Sequence, residues 1–558
     1  MSHATSANTR TNAHARSALI PRVTVLPETL MLGAALYWTL CLNTGFWHAA
    51  LAGRVPLQAA TLWFALCAGV LITALHALLL GLCVPSRILK PAIATITIIG
   101  AVAAYHVSNY AIALSPGMMR NVFTTDPAEA RELLTPRLFA TVVLQAGVAA
   151  LMLSRIHLQQ APSVRAVLRR TAFVGATTLI AVAAILAASQ DIAALMRNNK
   201  HLRYQIMPAA LVYSSARAAS HQSQQASTIR AVVGEDARLG STWATARKPL
   251  LMVVVVGETA RAANWGLNGY ARDTTPRLAA SDAINFTAVD SCGTDTETSV
   301  PCMFSAIGRR NYDEATIRAS DSLLHLVARS GIAVNWVDNQ SGCKGVCTDL
   351  DSSSTDRTAG RAGCDGEYCL DEVLLEELAA LADEGGNTNR LVVLHQIGNH
   401  GPAYHRRYPE SFRRFTPTCD TADLRRCTRD EIVNSYDNAL LYTDTVLART
   451  LAWLADQQAD FDTALVYVSD HGESLGEKGL YLHGMPYALA PAEQTRVPML
   501  IWLSDGFAQR NRLDAACLHA QADQPASHDH LFHTLLGLMD IATSVYDRKL
   551  DVAQPCRS

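Results

Sequence analysis

The chain has 558 residues, of which 49% are hydrophobic, and its formal net charge is -2. A chain of this length can form several domains, and a charge close to zero gives no indication of a nucleic-acid partner. Long apolar runs fill the sequence up to about Ala188, whereas polar and charged residues return beyond it in the proportions of a soluble domain. The sequence therefore predicts a membrane-embedded half followed by a water-exposed half.

Five segments of the first half can each supply about twenty apolar residues, the length that spans the hydrocarbon of a bilayer. They are residues 27–50, 57–84, 88–113, 138–154 and 171–188. The first is too long for a secretory signal and lacks a small-residue cleavage site, so we interpret it as an anchor. Basic residues concentrate in the N-terminal tail and in the second and fourth loops: Arg10, Arg16, Arg22, Arg87, Lys90, Arg155, Arg165, Arg169 and Arg170. This bias places the N-terminus in the cytoplasm, and five crossings place the C-terminal half on the far side.

The domain limits follow from these segments. We predict a cytoplasmic tail over residues 1–26, a domain of five transmembrane helices over 27–188, an amphipathic and bridging linker over 189–248, and a soluble domain over 249–558. Strand-like apolar runs recur in the soluble part at 250–256, 332–337, 391–394, 465–468 and 497–502, with helical stretches such as 371–382 and 431–453 between them. This alternation predicts a layered α/β domain with a mainly parallel sheet.

The cysteines indicate the compartment of the soluble half. Ten of the 13 cysteines lie beyond residue 290, and most form close pairs: Cys292 with Cys302, Cys343 with Cys347, Cys364 with Cys369, and Cys419 with Cys427. Such pairs suit disulfides or metal sites, but none has the spacing of a zinc ribbon. An oxidising compartment is therefore the better account. Connectivity stays open, and Cys517 with Cys556 is a candidate fifth pair.

Polar residues follow the predicted strands at the edge of the sheet where ligands bind in this class of fold. Glu258 comes one glycine after the run of four valines, Asp470 and His471 follow another strand, and His400 and His483 lie in nearby glycine-flanked loops. Alone, Glu258 is better explained as a helix cap and each histidine as a hydrogen-bonded surface residue. Together, carboxylate and imidazole groups at strand ends favour a metal site.

Residues 291–304 contain further side chains that could take part in catalysis. A glycine and a run of hydroxyl side chains lie between Cys292 and Cys302. This pattern fits a turn into a helix whose N–H groups face an anion, with a hydroxyl beside a divalent metal acting as nucleophile. It equally fits a disulfide-closed loop in which Thr and Ser cap a helix. Spacing does not separate these interpretations.

The motifs taken together resemble one protein family. They are VVGETARAANWGLNGYARDTTP, SCGTDTETSVPCMFS, HQIGNHGPAY, SDHGESLGEKGLYLHGMPYALAP and SHDHLFHTLLGLMD, and NVFTTDPAEA, RNNKHLRYQIMP and DNQSGCKGVC elsewhere in the chain look similar as well. The sequence resembles the lipid A phosphoethanolamine transferases, which belong to the alkaline phosphatase superfamily. The resemblance implies a multi-pass protein of the bacterial inner membrane, with a periplasmic catalytic domain of alkaline phosphatase/sulfatase-like α/β fold.

The resemblance also implies a reaction and a site. Phosphatidylethanolamine would be the donor, a phosphate of lipid A the acceptor, and zinc the cofactor, with one ion tightly bound and a second optional. The zinc ligands would be Glu258, Thr296, Asp470 and His471, with Thr296 also the nucleophile. His400 and His483 would hold a second zinc or the substrate phosphate and serve in catalysis, and the ethanolamine lipid would contact Asn121, Thr125, Glu129, Ser341 and Lys344. Asp295 departs from the small or neutral residue that is familiar before the nucleophile, so we expect its carboxylate to point away.

Other functions are weighed against this one. A transferase of the same fold could use a lipopolysaccharide core sugar, a glucan or a protein glycan as acceptor, or move phosphoglycerol instead. A sulfatase is disfavoured because the Cys/Ser-x-Pro-x-Arg nucleophile motif is not at the expected place, and a non-enzyme membrane sensor would have a broken metal set. We therefore predict a monomeric phosphoethanolamine transferase. Its reaction would lower the negative charge of the cell surface. Cationic peptides would then lose about 1 kcal/mol of electrostatic attraction per charge, and polymyxin resistance would follow.

Overall fold

The computed structural model describes residues 23–558 apart from 53, 111, 160–161, 199, 226–229, 359 and 387. Most of the predicted cytoplasmic tail, residues 1–22, therefore lies outside the described residues. The chain divides into two compact units. The helical unit comprises Met1–Ala104, Ala140–Asn199 and Ile206–Ala209, and the sheet unit comprises Tyr105–Phe139, Lys200–Gln205 and Ala210–Ser558. The domain limits at 188 and 248 stay predictions.

The first part of the chain is almost entirely helical. Its α-helices are α1 Pro27–Cys41, α2 Thr44–Leu51, α3 Ala59–Cys83, α4 Leu89–Tyr110, α5 Pro116–Thr124, α6 Pro127–Glu132, α7 Pro136–Arg155, α8 Ser163–Ala187, α9 Ser189–Asn198 and α10 Ala209–Gln225. Within the described residues, four helical segments are long and apolar enough to cross a membrane: Ala59–Cys83, Ser86–Tyr110, Pro136–Arg155 and Ser163–Ala187. A helical membrane region is thereby confirmed with four such helices, whereas the predicted count of five spans stays a prediction.

The first predicted span, 27–50, differs from a single helix. It consists of α1 and α2, which are separated at Leu42 and Asn43. The Asn43 amide donates to the carbonyl of Trp38 at 2.8 Å, and its oxygen accepts from the N–H of Met207 at 2.7 Å. A polar side chain that bonds the backbone in this way competes with the helical hydrogen bonds and ends α1.

The strands form one main sheet and smaller pairs. In chain order they are β1 Val23–Val25, β2 Ile156–Leu158, β3 Arg238–Leu239, β4 Leu250–Gly257, β5 Ile284–Asp290, β6 Ala333–Asp338, β7 Asp351–Ser354, β8 Arg390–His395, β9 Asp462–Ser469, β10 Ser474–Leu475, β11 Tyr481–Leu482, β12 Arg496–Leu503, β13 Ala526–Ser527 and β14 Ile541–Ala542. The main sheet has the order β13, β5, β12, β9, β4, β8, β6, β7. β12 runs antiparallel to β9 and β5, whereas the other neighbouring pairs are parallel. The predicted α/β domain with a mainly parallel sheet is confirmed.

The centre of this sheet is buried on both faces. Every residue of β4 and of β9 is buried, as continuous apolar, β-branched runs require in a sheet covered by helices. The α-helices that follow β5 in the sequence are α11 Thr296–Met303, α12 Glu314–Arg318, α13 Leu323–Arg329, α14 Val373–Gly385, α15 Arg429–Asp456, α16 Ala492–Thr495, α17 Asp505–Arg510, α18 Ala515–Gln521 and α19 His528–Leu538. Helices α5 and α6, from the loop between two membrane segments, belong to the same unit as the sheet.

Within the part of the chain that the structure describes, the sheet unit contains five disulfides. They join the four predicted pairs, Cys292–Cys302, Cys343–Cys347, Cys364–Cys369 and Cys419–Cys427, and also Cys517–Cys556. Among the described residues Cys41, Cys67 and Cys83 are free, and all three lie in the helical unit. The disulfide pattern agrees with an oxidising compartment for the sheet unit.

Candidate active site

The central strands bring the predicted metal ligands together. β4 and β9 are parallel neighbours whose last residues, Gly257 and Ser469, lie opposite each other. The residues that follow, Glu258 after β4 and Asp470 with His471 after β9, are fully buried at the same edge of the sheet. Parallel strands that end in register therefore place two carboxylates and an imidazole side by side.

Thr296 meets this cluster from the start of α11. Its Oγ1 donates to Oε2 of Glu258 at 3.0 Å and lies 3.3 Å from Nε2 of His471. Thr296 is the first residue of the helix, so its own N–H has no acceptor within the helix. Asp295 is the N-cap, and its carboxylate accepts from the N–H of Thr298 at 2.9 Å. The hydroxyl is thus placed between two metal-ligand candidates and a helix N-terminus that favours an anion.

The donor atoms fit a divalent cation. Nε2 of His471 lies 3.4 Å from Oε1 of Glu258 and 3.3 Å from Oδ2 of Asp470. Ligand atoms of Glu258, His471 and His483 all lie within 4.8 Å of one another. Within the described chain, Glu258 Oε1 and Asp470 Oδ2 are buried without a hydrogen-bond partner. Buried carboxylate oxygens left in this state are costly, and a bound cation is the partner that satisfies them.

The electrostatics of the cluster lead to the same conclusion. Burial raises the pKa of the Glu258 carboxyl well above its usual value, and the neighbouring Asp470 raises it further. Burial also raises the pKa of Asp470 and lowers the pKa of His471 to about 3. The apoprotein therefore resists charging each of these groups, whereas a cation favours the ionised carboxylates and the neutral imidazole that ligate metals.

The two other predicted histidines lie against this cluster. The ring of His483 is 4.4 Å from the ring of His471 and 5.6 Å from that of His400, measured between centroids. Burial, and then the neighbouring His483, lower the pKa of His400 well below its usual value. Burial alone would lower the pKa of His483, but the Glu473 carboxylate 3.3 Å from its Nδ1, together with Asp470 and Asp295, outweighs this and raises it. The pair thus offers one neutral and one more basic imidazole.

Three of the predicted lipid-binding residues lie around the histidines. Oε2 of Glu129, in α6, is 4.0 Å from Nε2 of His400. Burial raises the pKa of Glu129 to about 7 although Lys344 and Arg407 oppose the rise. Lys344 Nζ donates to the carbonyl of Ser341 at 2.9 Å and to its hydroxyl. A buried acid and a lysine therefore face the same region as the histidines.

Asn121 and Thr125 lie at the end of α5. The Thr125 hydroxyl donates to the carbonyl of Asn121 at 2.6 Å. The neighbouring Thr124 hydroxyl lies 3.4 Å from a carboxylate oxygen of Glu297, the second residue of α11. The loop that carries both candidates is therefore packed against the helix that begins with Thr296.

Some residues that shape the site have no role in the sequence predictions. Glu473, beside His483, follows His471 by two residues in the motif SDHGE, and an acid inside a strand-end motif is a usable signal. Nδ1 of His395 lies 2.7 Å from Oδ1 of Asp338, and these residues end neighbouring strands in register. The Arg407 guanidinium gives no such signal because its partner, Glu132, lies 275 residues away in the sequence.

Comparison with known proteins first defines the class. Residues 251–541 match the model of the Sulfatase family. These residues include the main sheet, Glu258, Thr296 and the strand-end ligands. The sheet unit is therefore a sulfatase-like domain.

Matches that extend over most of the chain identify the family within this class. Residues 72–223 match the family described as phosphoethanolamine transferase EptA/EptB. The phosphoethanolamine transferase EptA of Escherichia coli (strain K12) is 40% identical over 473 residues, which are 84% of this chain and 86% of that protein. The phosphatidylethanolamine transferase Mcr-1 of Escherichia coli is 35% identical over 539 residues, 94% of this chain and 97% of that protein. The integral membrane lipooligosaccharide phosphoethanolamine transferase EptA of Neisseria meningitidis superposes with a TM-score of 0.88 at 35% identity, covering 95% of this chain and 98% of that one. The chain belongs to the membrane-bound phosphoethanolamine transferases.

Proposed function

We propose that this enzyme moves phosphoethanolamine from phosphatidylethanolamine to a phosphate of lipid A, through a covalent intermediate on Thr296. The observation that carries the proposal is the position of Thr296 Oγ1, 3.0 Å from Glu258 and 3.3 Å from His471 at a helix N-terminus. The name of Mcr-1 supports phosphatidylethanolamine as donor. The lipooligosaccharide in the name of the Neisseria protein supports a lipid A-type acceptor.

Zinc is the cofactor that we propose for the site. Glu258, Thr296, Asp470 and His471 would hold it, and His400 with His483 would hold a second zinc or the phosphate of the substrate. Carboxylate and imidazole ligands at a buried edge are typical of zinc. When bound, zinc lowers the pKa of a neighbouring hydroxyl and offsets negative charge on a phosphoryl group.

In the first half-reaction Thr296 Oγ1 attacks the phosphorus of the donor lipid. The Oγ1–P bond forms, the bond from phosphorus to the glycerol oxygen breaks, and diacylglycerol leaves with a proton. The N–H groups at the start of α11 stabilise charge on the non-bridging oxygens. His400 or His483 would hand the proton to the departing oxygen, since both lie beside the nucleophile cluster.

In the second half-reaction an oxygen of the acceptor phosphate attacks the same phosphorus. The new P–O bond joins phosphoethanolamine to lipid A, and the Thr296 oxygen leaves and takes up a proton released by the monoanionic acceptor phosphate or by water. A phosphate acceptor is already anionic, so it needs little help from a general base. Another envelope acceptor, such as lipopolysaccharide core, a glucan or a protein glycan, could enter at this same step.

The lipid-binding residues would recognise the headgroup. Glu129 supplies a carboxylate for the ethanolamine ammonium, and Lys344 supplies a cation for phosphate. Asn121, Thr125 and Ser341 would complete the site with hydroxyl and amide groups.

We further propose a monomer in the inner membrane with the sheet unit in the periplasm. The five disulfides support this orientation because they persist in oxidising compartments. Protease added to spheroplasts should remove a C-terminal tag, and a tag that becomes accessible only after lysis contradicts the orientation. Modified lipid A would carry less negative charge, so polymyxin resistance is the expected phenotype.

Trapping the intermediate tests the chemistry. Purified enzyme incubated with phosphatidylethanolamine and no acceptor should gain the mass of one phosphoethanolamine on the peptide that contains Thr296. Thr296→Ala should gain nothing, whereas Thr296→Ser keeps an Oγ and should be labelled more slowly. Label on Thr296→Ala would contradict the assignment of the nucleophile.

A further inference from the structure

The N-terminus of α19 contacts the segment that carries Thr296 at two points. Residues 527–529 open the motif SHDHLFHT, which has no role in the proposed reaction. His528 and Asp529 are the first two residues of α19, and both side chains are buried. Their hydrogen bonds reach the two ends of residues 292–310, the segment that contains α11.

His528 bridges the loop before Thr296 and the strand that carries the metal ligands. Its Nδ1 accepts from the N–H of Cys292 at 3.0 Å. Its Nε2 lies 3.0 Å from the carbonyl of Ser469, which can only accept, so Nε2 carries the proton. Cys292 precedes Thr296 by four residues, and Ser469 directly precedes Asp470. One neutral imidazole therefore joins the nucleophile loop to the end of β9.

Asp529 holds the chain on the other side of α11. Its carboxylate accepts from the N–H of Arg309 and, at 2.9 Å, from the N–H of Arg310. Gly308 has φ +63, and a Cβ there would lie 2.4 Å from Oδ1 of Asp529. The chain after α11 thus approaches Asp529 as closely as a glycine allows.

Several other hydrogen bonds around this segment lead elsewhere. The N–H of Ser291 donates to the carbonyl of Thr495 at 2.7 Å, and the Thr294 hydroxyl donates to the carbonyl of Met485. The disulfide Cys292–Cys302 closes the segment onto itself. Among the bonds named here, the His528 bridge is the one that spans from the nucleophile loop to the strand of Asp470.

We propose that His528 and Asp529 are positioning residues that fix Thr296 relative to Asp470 and His471. Neither touches the reacting atoms; they act by holding both ends of residues 292–310. The inference rests on the proposed role of Thr296 as nucleophile. A displacement of about 1 Å in a catalytic group can lower a rate by about 100-fold, so a bridge of this kind affects turnover more than substrate binding.

The test compares full-length variants in phospholipid vesicles that contain phosphatidylethanolamine and lipid A. His528→Leu removes both hydrogen bonds, whereas His528→Gln retains an acceptor and a donor at similar spacing. His533→Leu is the matched control, because His533 is a buried histidine of the same helix whose Nδ1 accepts from the N–H of Asp547. We expect His528→Leu to lower kcat by about 10-fold or more at unchanged donor KM, and the other two variants to stay within about 3-fold of wild type.

Amide hydrogen exchange provides a second readout that is independent of the reaction. In His528→Leu, peptides that cover residues 292–303 should exchange about 10-fold faster, while His533→Leu leaves them unchanged. If His528→Leu does not fold, Asp529→Asn, which loses one of two accepted bonds, should show the same lowered kcat in weaker form. Folded His528→Leu with wild-type kcat and wild-type exchange would overturn the inference. Absence of transfer by wild type, with the exchange difference present, would overturn the proposed function and leave the positioning role supported.

Discussion

At the scale of single residues, the site is defined by charge that the fold alone does not neutralise. Glu258 and Asp470 are fully buried, each has an unpartnered carboxylate oxygen, and burial raises the pKa of each. Proteins rarely bury such groups without a counter-charge. Ionising them therefore costs free energy in the apoprotein, and a bound cation offsets this cost.

We therefore expect Glu258→Gln to have opposite effects on thermal stability with and without metal. A raised pKa in the folded state means that an ionised Glu258 lowers stability above the usual pKa of Glu, so in chelator the neutral variant should melt at or above the wild-type temperature. Zinc at one hundred times its Kd should stabilise wild type by about 2.7 kcal/mol and the variant far less. Differential scanning calorimetry with chelator and with zinc measures both effects.

Asp437→Asn is the control for this experiment. Asp437 is also buried with a raised pKa caused by burial, but it bonds Asn264 and Tyr270 and is no member of the proposed ligand set. Its variant should keep the full stabilisation by zinc. An equal gain from zinc in wild type and Glu258→Gln would show that Glu258 holds no metal.

At the scale of elements, an ion pair joins α6 to the loop after β8. Arg407 is 2% exposed, donates to both carboxylate oxygens of Glu132 at 3.0 Å and donates to the carbonyl of His400 at 2.8 Å. Glu132 lies one helical turn from Glu129 in α6. A single guanidinium thus fixes the loop of His400 and the helix that carries the proposed ethanolamine ligand.

Replacing this arginine should therefore affect both stability and donor binding. Arg407→Met leaves Glu132 buried without its bidentate partner, which should destabilise the protein by about 3 kcal/mol and raise the KM for phosphatidylethanolamine. Arg131→Met is the control, since Arg131 is 62% exposed and pairs with the exposed Glu367; it should change neither quantity measurably. Denaturant unfolding and donor titration provide the measurements. Equal behaviour of the two variants would contradict a special role for Arg407.

At the scale of the whole molecule, the sequence predicted the features that depend on short stretches of the chain and not the contacts between distant residues. The valine run of β4 and the polar residues after β4 and β9 predicted that Glu258, Asp470 and His471 lie side by side, because parallel strands end at one edge. The break at Asn43 was missed because one amide, not hydropathy, ends the helix. The pairs of Arg407 with Glu132 and of His528 with Cys292 join residues 275 and 236 positions apart, and no periodicity in a single sequence encodes such contacts.

We propose that Thr296 transfers phosphoethanolamine to lipid A in the cell. The most direct measurement is mass spectrometry of lipid A from cells that express wild type beside cells that express Thr296→Ala at equal levels in the membrane. We expect a gain of one phosphoethanolamine with wild type and none with the variant. Unchanged lipid A in cells with active wild-type enzyme, or the same gain with Thr296→Ala, would contradict it.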